Sequence, residues 1–318
     1  MPASLNFGSR TPKKAARGSA ALPKHKGDRP HKIGSDIIFL MRVILWLGIL
    51  ALPLLGWSAE AVRIGVYSHS TNEAKAAGIV RVFTTILTPK KGFAVQRVKP
   101  EDIRAGVLTN LDVLIMPGGS GSKQATNLET SGREAIQQFV KNGGGYVGIC
   151  AGAYLASSHY AWSLNLINAS VIDRQHWARG KGNIILTLTD PGQKALGHPE
   201  TEVEVYYGQG PLYGRGTNDA LPPYEELAIY KTEVAKENVP PGVPMGVMPG
   251  KTAIARSEYG KGRVICYSPH PEKPFQPVYH LIENGVRWAA GKEPIEVTEA
   301  EWQNRPKPGK PEPPETEE

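Results

Sequence analysis

The chain is poor in cysteine, in long apolar runs and in metal-ligand spacing. Two cysteines, Cys150 and Cys266, serve all 318 residues, so one disulfide is the most it could form. His159, His176, His198 and His280 stand at no ligand spacing from acids or thiols, so no metal is expected. The glycine-rich stretch at Gly118–Gly121 lacks the Lys-Ser/Thr ending of a nucleotide P-loop, and no cofactor is expected. The long apolar run, Val43–Trp57, has fifteen residues, short of the ~20 that a membrane span needs. Basic charge is also scarcer than it looks. Nine Lys/Arg against Asp28, Asp36 and Glu60 give residues 1–61 a charge of +6, leaving +1 of the total +7 for everything after. The remainder offers no basic surface for a nucleic acid, and none is expected as a partner.

What is present begins with that leader. Arg42 precedes the apolar run and Ala59-Glu60-Ala61 follows it, the layout of a signal peptide with an A-x-A cleavage site. Residues 1–61 therefore read as a basic leader and signal peptide, with Met41 a candidate for the true start. The protein is expected to be exported, periplasmic or secreted. The other reading is an anchor formed by residues 37–57, which would be the chain's only tie to a membrane. Export would permit a Cys150–Cys266 disulfide; the alternative is that Cys266 is a small apolar filler in a strand.

From Val62 the pattern alternates strand and helix. Strands are expected at Val62–Tyr67, Phe93–Val98, Leu111–Met116 and Gly145–Ile149, with helices at Ala74–Leu87, Pro100–Leu108 and around Glu134–Lys141. This order implies a parallel sheet covered on both faces. Further strands are expected at Asn183–Thr189, Glu202–Tyr207, Leu227–Thr232, Ala253–Ser257 and Arg263–Tyr267, several of them antiparallel, and a closing helix at Pro277–Ala290. Residues 62–292 read as one domain. The Pro/Glu/Lys-rich residues 293–318 read as a disordered tail.

Three motifs carry chemistry. Gly148-Ile149-Cys150-Ala151-Gly152 ends a buried strand in a G-x-nucleophile-x-G turn, where small flanking residues let a strained backbone push the thiol into a cleft. A helix beginning there favours a thiolate. His270-Pro271-Glu272 follows a strand. Residues two apart share one face of an extended chain, and the prolines favour extension, so Glu272 could orient His270 toward Cys150 as in a serine triad. Met116-Pro117-Gly118-Gly119 also follows a strand, where open α/β sheets place ligand loops. A backbone N–H of Gly118 or Gly119, with that of Ala151, would form an oxyanion hole; a plain turn or phosphate nest is the other reading. Tyr206, Tyr207, Gln209 and Tyr213 form an aromatic-polar cluster that could equally be core.

Together these motifs resemble the class I glutamine amidotransferase-like superfamily. Gly143–Ala156, Tyr206–Pro211 and Ser268–Glu272 are most similar to the domain at the N-terminus of some biotin–protein ligases. The resemblance implies a flavodoxin-like three-layer α/β/α sandwich with a mostly parallel sheet and a Cys150–His270–Glu272 triad. It also implies that Tyr207 and Gln209 lie near the substrate. The chain departs from many glutaminases in carrying Ala153-Tyr154 where a polar residue and glutamine usually follow the elbow, and it has no synthetase or ligase domain. The expectation is a cysteine hydrolase acting on an amide or related acyl bond in a small or peptide-like substrate. The alternatives are a non-catalytic binding module on the same fold and an amidotransferase subunit needing a separate synthetase.

Overall fold

A computed structural model describes residues 61–175, 180–234, 242–273 and 278–305, all within the compact unit Ser58–Glu318. The signal peptide expected over 1–61 lies, but for Ala61, outside the described residues. Among them, no helix is long and apolar enough to cross a membrane.

Five parallel strands form the heart of the sheet, in the order β2 (Phe93–Val98), β1 (Val62–Tyr67), β3 (Val113–Met116), β4 (Gly145–Ile149), β11 (Gly262–Tyr267). The sheet continues in antiparallel fashion through β10 (Thr252–Tyr259), β9 (Glu225–Tyr230), β6 (Gly182–Leu188) and β7 (Glu202–Tyr207). A side pair, β5 (Ala169–Val171) with β8 (Tyr213–Arg215), leans on β10.

Side-chain alternation divides the core into two layers. On one face Ile64, Val66, Ile115, Val147 and Ile149 pack against Phe83 and Ile86 of α1 (Glu73–Ile86) and against Leu281, Ile282 and Val286 of α6 (Tyr279–Ala289). On the other, Leu114, Met116, Tyr146 and Val264 meet Ile103 of α2 (Pro100–Arg104), Leu128, Ile136 and Val140 of α3 (Gly121–Lys141) and Leu155 of α4 (Ala151–Ala156). Each such side chain, buried, contributes about 1.5–3 kcal/mol. The arrangement is the expected three-layer α/β/α sandwich with a flavodoxin-like parallel core.

The register sets up the site. Met116, Gly148 and Cys266 stand side by side on β3, β4 and β11. The segments that leave these strands, 117–120, 150–152 and 268–272, therefore emerge at one edge. Cys266 and Cys150 belong to opposite core layers, and both are free thiols. Cys266 is thus the apolar filler, and the disulfide reading falls.

The tail expected to be disordered from Glu293 is ordered as far as Arg305. Asn284 donates to the carbonyls of Leu196 and Ile295 and accepts from the Ile295 N–H, at 2.7–2.8 Å. Beyond this clamp, α7 (Glu299–Gln303) buries Trp302 against His198 and His280. Composition hides this because one tryptophan and one asparagine clamp outweigh many surrounding charges. Residues 306–318 of that tail lie outside the described residues. The short α5 (Asp190–Leu196), β5 and β8 were not expected either, being too brief to show a period.

Candidate active site

Cys150 sits between β4 and α4 at φ 50°, ψ −98°, a conformation outside the ordinary regions for a side-chain-bearing residue. The neighbours explain how it is held. Its N–H bonds the Tyr267 carbonyl at 2.8 Å. A Cβ on Gly152 would stand 2.0 Å from the Met116 carbonyl oxygen, and one on Gly148 would stand 2.7 Å from the Gly152 carbonyl oxygen. The two glycines of the motif are therefore steric requirements of the turn. The thiol is 3.6 Å from the Gly208 carbonyl.

His270 follows β11 and is tied by its N–H to the Tyr206 carbonyl at 2.8 Å, an isolated antiparallel bridge to the end of β7. The Pro-flanked segment is not extended as expected: Pro271 and Glu272 form a turn closed by the Lys273 N–H on the His270 carbonyl at 3.2 Å, and this turn, not strand alternation, brings Glu272 back to His270. Nδ1 of His270 lies 2.7 Å from Oε1 of Glu272, with both residues buried. The ring is slotted between two glycines. A Cβ on Gly118 would reach its Cε1 at 2.7 Å, and one on Gly208 its Nε2 at 2.8 Å. Burial works against the imidazolium, but the negative charge of the Glu272 carboxylate and of the Cys150 sulfur outweighs it and pushes the His270 pKa up to about 10. Nδ1 thus belongs to Glu272.

A cavity of about 710 Å³ opens on Cys150. Gly119 and Ser120 form one lip, Gly208 and Gln209 another, and Tyr154, Tyr160, Trp162 and Arg174 line the remainder. The Tyr160 and Trp162 rings stack at 4.5 Å, nearly parallel. Gly119 adopts φ 131°, which a residue with a side chain would resist. Ala151 opens α4 directly behind the thiol. The expected residues thus converge, with one exception. Tyr207 turns into the core, 1% exposed, donating to the Gly210 carbonyl and packing edge-on against Tyr230. Its neighbours meet the cavity region instead: Tyr206 anchors and abuts His270, and Gln209, at φ 70°, lines the cavity. Strand alternation decides this, since Tyr206 and Tyr207 must point to opposite faces. Tyr160, Trp162 and Arg174 had no recognisable spacing in the sequence. Among the described residues no metal-binding group of three ligands occurs. A second cavity of about 610 Å³ lies at the other end of the parallel strands, near Val62, Leu111, Phe139 and Gly143, away from the triad.

Residues 63–179 match the family model of the biotin–protein ligase N-terminal domain. The resemblance drawn from the motifs stands over that region, which includes the glycine loop and the Gly148–Gly152 turn. The match ends before β6, so the partners His270 and Glu272 are assigned to this biotin–protein ligase-like region by geometry alone. A ThuA-like protein from Bacteroides uniformis superposes with a TM-score of 0.52 at 16% identity, covering 76% of this chain and 96% of that one. A protein from Thermoplasma acidophilum described as a GMP synthase subunit gives 0.48 at 14% identity, covering 73% and 96%. These likenesses are of fold. A Chlamydia muridarum protein is 38% identical over 50 residues, 16% of this chain, and the match spans 19% of that protein.

Proposed function

We propose that this protein is an exported cysteine hydrolase cleaving an amide or related acyl bond, with Cys150 as nucleophile, His270 as proton carrier and Glu272 as the group that orients His270. The observation that carries the reading is the strained thiol at φ 50° beside a buried His270–Glu272 pair at 2.7 Å, open to a cavity. His270 takes the thiol proton, and the thiolate attacks the carbonyl carbon. The N–H groups of Gly119 and Ala151 receive the oxyanion. Collapse of the tetrahedral adduct breaks the C–N or C–O bond, and His270 returns its proton to the leaving group. Water, deprotonated by His270, then cleaves the thioester and restores the thiol. Tyr154 stands in the cavity where many glutaminases place a glutamine side chain, which argues for a substrate other than glutamine.

The test is a pair of measurements on the full chain. Cys150 should be alkylated by iodoacetamide faster than a free thiol at the same pH, and p-nitrophenyl acetate should leave an acetyl group on it, seen by mass spectrometry. Cys150→Ala should abolish both, and Glu272→Gln should slow acylation by about tenfold or more. A thiol no more reactive than a free one would instead favour the binding module. Ester hydrolysis that survives Cys150→Ala would place any activity elsewhere.

A further inference from the structure

Gln124 takes no part in the proposed chemistry, yet it is 1% exposed and sits directly under the glycine loop. Its side-chain Nε2 donates to the Pro117 carbonyl at 2.8 Å. Its backbone N–H donates to the Ser120 carbonyl at 2.9 Å. One residue thereby ties both ends of the segment Pro117–Ser120, whose middle is Gly118-Gly119. Among the described residues Oε1 of the same amide is buried without a partner, so the group gives up a hydrogen bond to be there. An unpartnered buried amide oxygen is destabilising, and core packing alone would avoid it with methionine or leucine.

The two sides of the loop differ in what surrounds them. On one side Gln124 grips Pro117. On the other, Gly118 rests against His270, where a Cβ would come within 2.7 Å of the ring. A trans peptide points its C=O and N–H in opposite directions. Holding the Pro117 carbonyl toward α3 therefore turns the Gly118 N–H away from α3. It also fixes the plane from which Gly119, at φ 131°, enters the cavity beside Cys150.

We infer that Gln124 is a positioning residue, whose carboxamide holds the Pro117–Ser120 loop so that its N–H groups are aimed at an oxyanion formed on Cys150. This rests on the hydrolase reading above. It predicts a defect confined to reactions that develop an oxyanion. Alkylation by iodoacetamide displaces iodide at a saturated carbon and forms none, whereas acylation by p-nitrophenyl acetate passes through a tetrahedral oxyanion.

The experiment compares these two rates at Cys150 in the full chain. Gln124→Met fills the same space without a donor. It should leave alkylation within about twofold and lower acylation by about tenfold to a hundredfold, below the 10²–10³ lost with a whole oxyanion donor. Gln124→Glu adds a readout that packing would not move. A protonated carboxyl donates to the Pro117 carbonyl as the amide does, and an ionised one repels it. Its acylation-to-alkylation ratio should be close to wild type near about pH 5 and fall as the carboxyl ionises toward about pH 9. An unchanged ratio in folded Gln124→Met overturns the inference, as does a pH-independent ratio in Gln124→Glu, which decides the matter if the methionine variant does not fold. A wild-type Cys150 that takes neither reagent overturns the hydrolase reading itself and is recognised before any variant is made.

Discussion

Acid should loosen the C-terminal clamp, and one histidine should account for most of the effect. His198 and His280 lie ring over ring, Nδ1 to Nε2 at 2.9 Å, with Trp302 set edge-on against both. His198 Nε2 faces the Glu202 carbonyl, which can only accept, so His198 carries its proton there. His198 Nδ1 must then accept from the Nε2–H of His280, and the pair is built for two neutral rings. Burial, the His198 ring, Arg305 and Lys91 together hold His280 down to about 3, from 6.5. His198 is also lowered, by burial and Arg305, against the opposing pull of the Glu202 carbonyl, Glu200 and Glu299.

The sign follows from proton counting. Between about pH 6.5 and 3 the unfolded chain binds a proton at His280 that the folded chain refuses. Stability is therefore complete above pH 6.5 and is lost as the pH falls. The loss is about 1.4 kcal/mol per pH unit, or about 2–3 kcal/mol near pH 4.5. For a domain of this size that is roughly 5–10 °C in Tm. Thermal unfolding of the full chain at about pH 7 and 4.5 gives the wild-type decline. His280→Gln keeps a neutral donor toward His198 and cannot take the proton, so most of that decline should vanish. An equal decline in His280→Gln would refute the reasoning, because the acid sensitivity would then belong to other groups.

Two further outcomes follow from steric and electrostatic facts already described. Gly152→Ala would drive a Cβ into the Met116 carbonyl, an obstacle of backbone that no rotamer relieves, so the variant should lose about 3 kcal/mol or more. A urea midpoint matching wild type would show that the elbow has more room than its geometry implies. Cys266 is fully buried and its thiol is pushed up to about 12 by burial, despite its contact with Tyr213. Native protein should take one iodoacetamide, at Cys150, and denatured protein two; native labelling at Cys266 would contradict its place in the core.

Much of this was legible because the parallel half of the chain obeys local rules. Val62–Tyr67, Phe93–Val98 and Gly145–Ile149 have the strand limits expected of them, the last two marked by glycines or a proline at their ends. The elbow was legible because its glycines and cysteine fall within five residues of chain, although only the clash that requires Gly148 is local and the one that requires Gly152 comes from Met116 on the neighbouring strand. What could not be read depends on pairings between distant segments. That Tyr206 rather than Tyr207 meets His270 is set by the bridge between residues 206 and 270. Trp302 gains its place only because Asn284 clamps Ile295, eleven positions away along the chain. The cavity wall of Tyr160, Trp162 and Arg174 comes from irregular backbone after α4, which has no period to detect.

The same dependence explains why the triad reading could be made before any contact was known. A parallel sheet with β3, β4 and β11 adjacent brings every strand exit to one edge, so three motifs that each follow a strand must meet if those strands are neighbours. Sequence order says nothing of that adjacency, for β11 follows β4 by more than a hundred residues and enters between β4 and the antiparallel half. Once β11 takes that place, Cys266 beside Gly148 brings the segment that carries His270 out beside Cys150, and the bridge to Tyr206 fixes the rest. A shift of one residue in that pairing would send His270 to the opposite face of the sheet. The β4–β11 register is therefore as much a part of the site as the three side chains. At the start of those strands Gly145 and Gly262 lie so close to the Ala289 and Val140 carbonyls that a side chain at either would push the strand out of place.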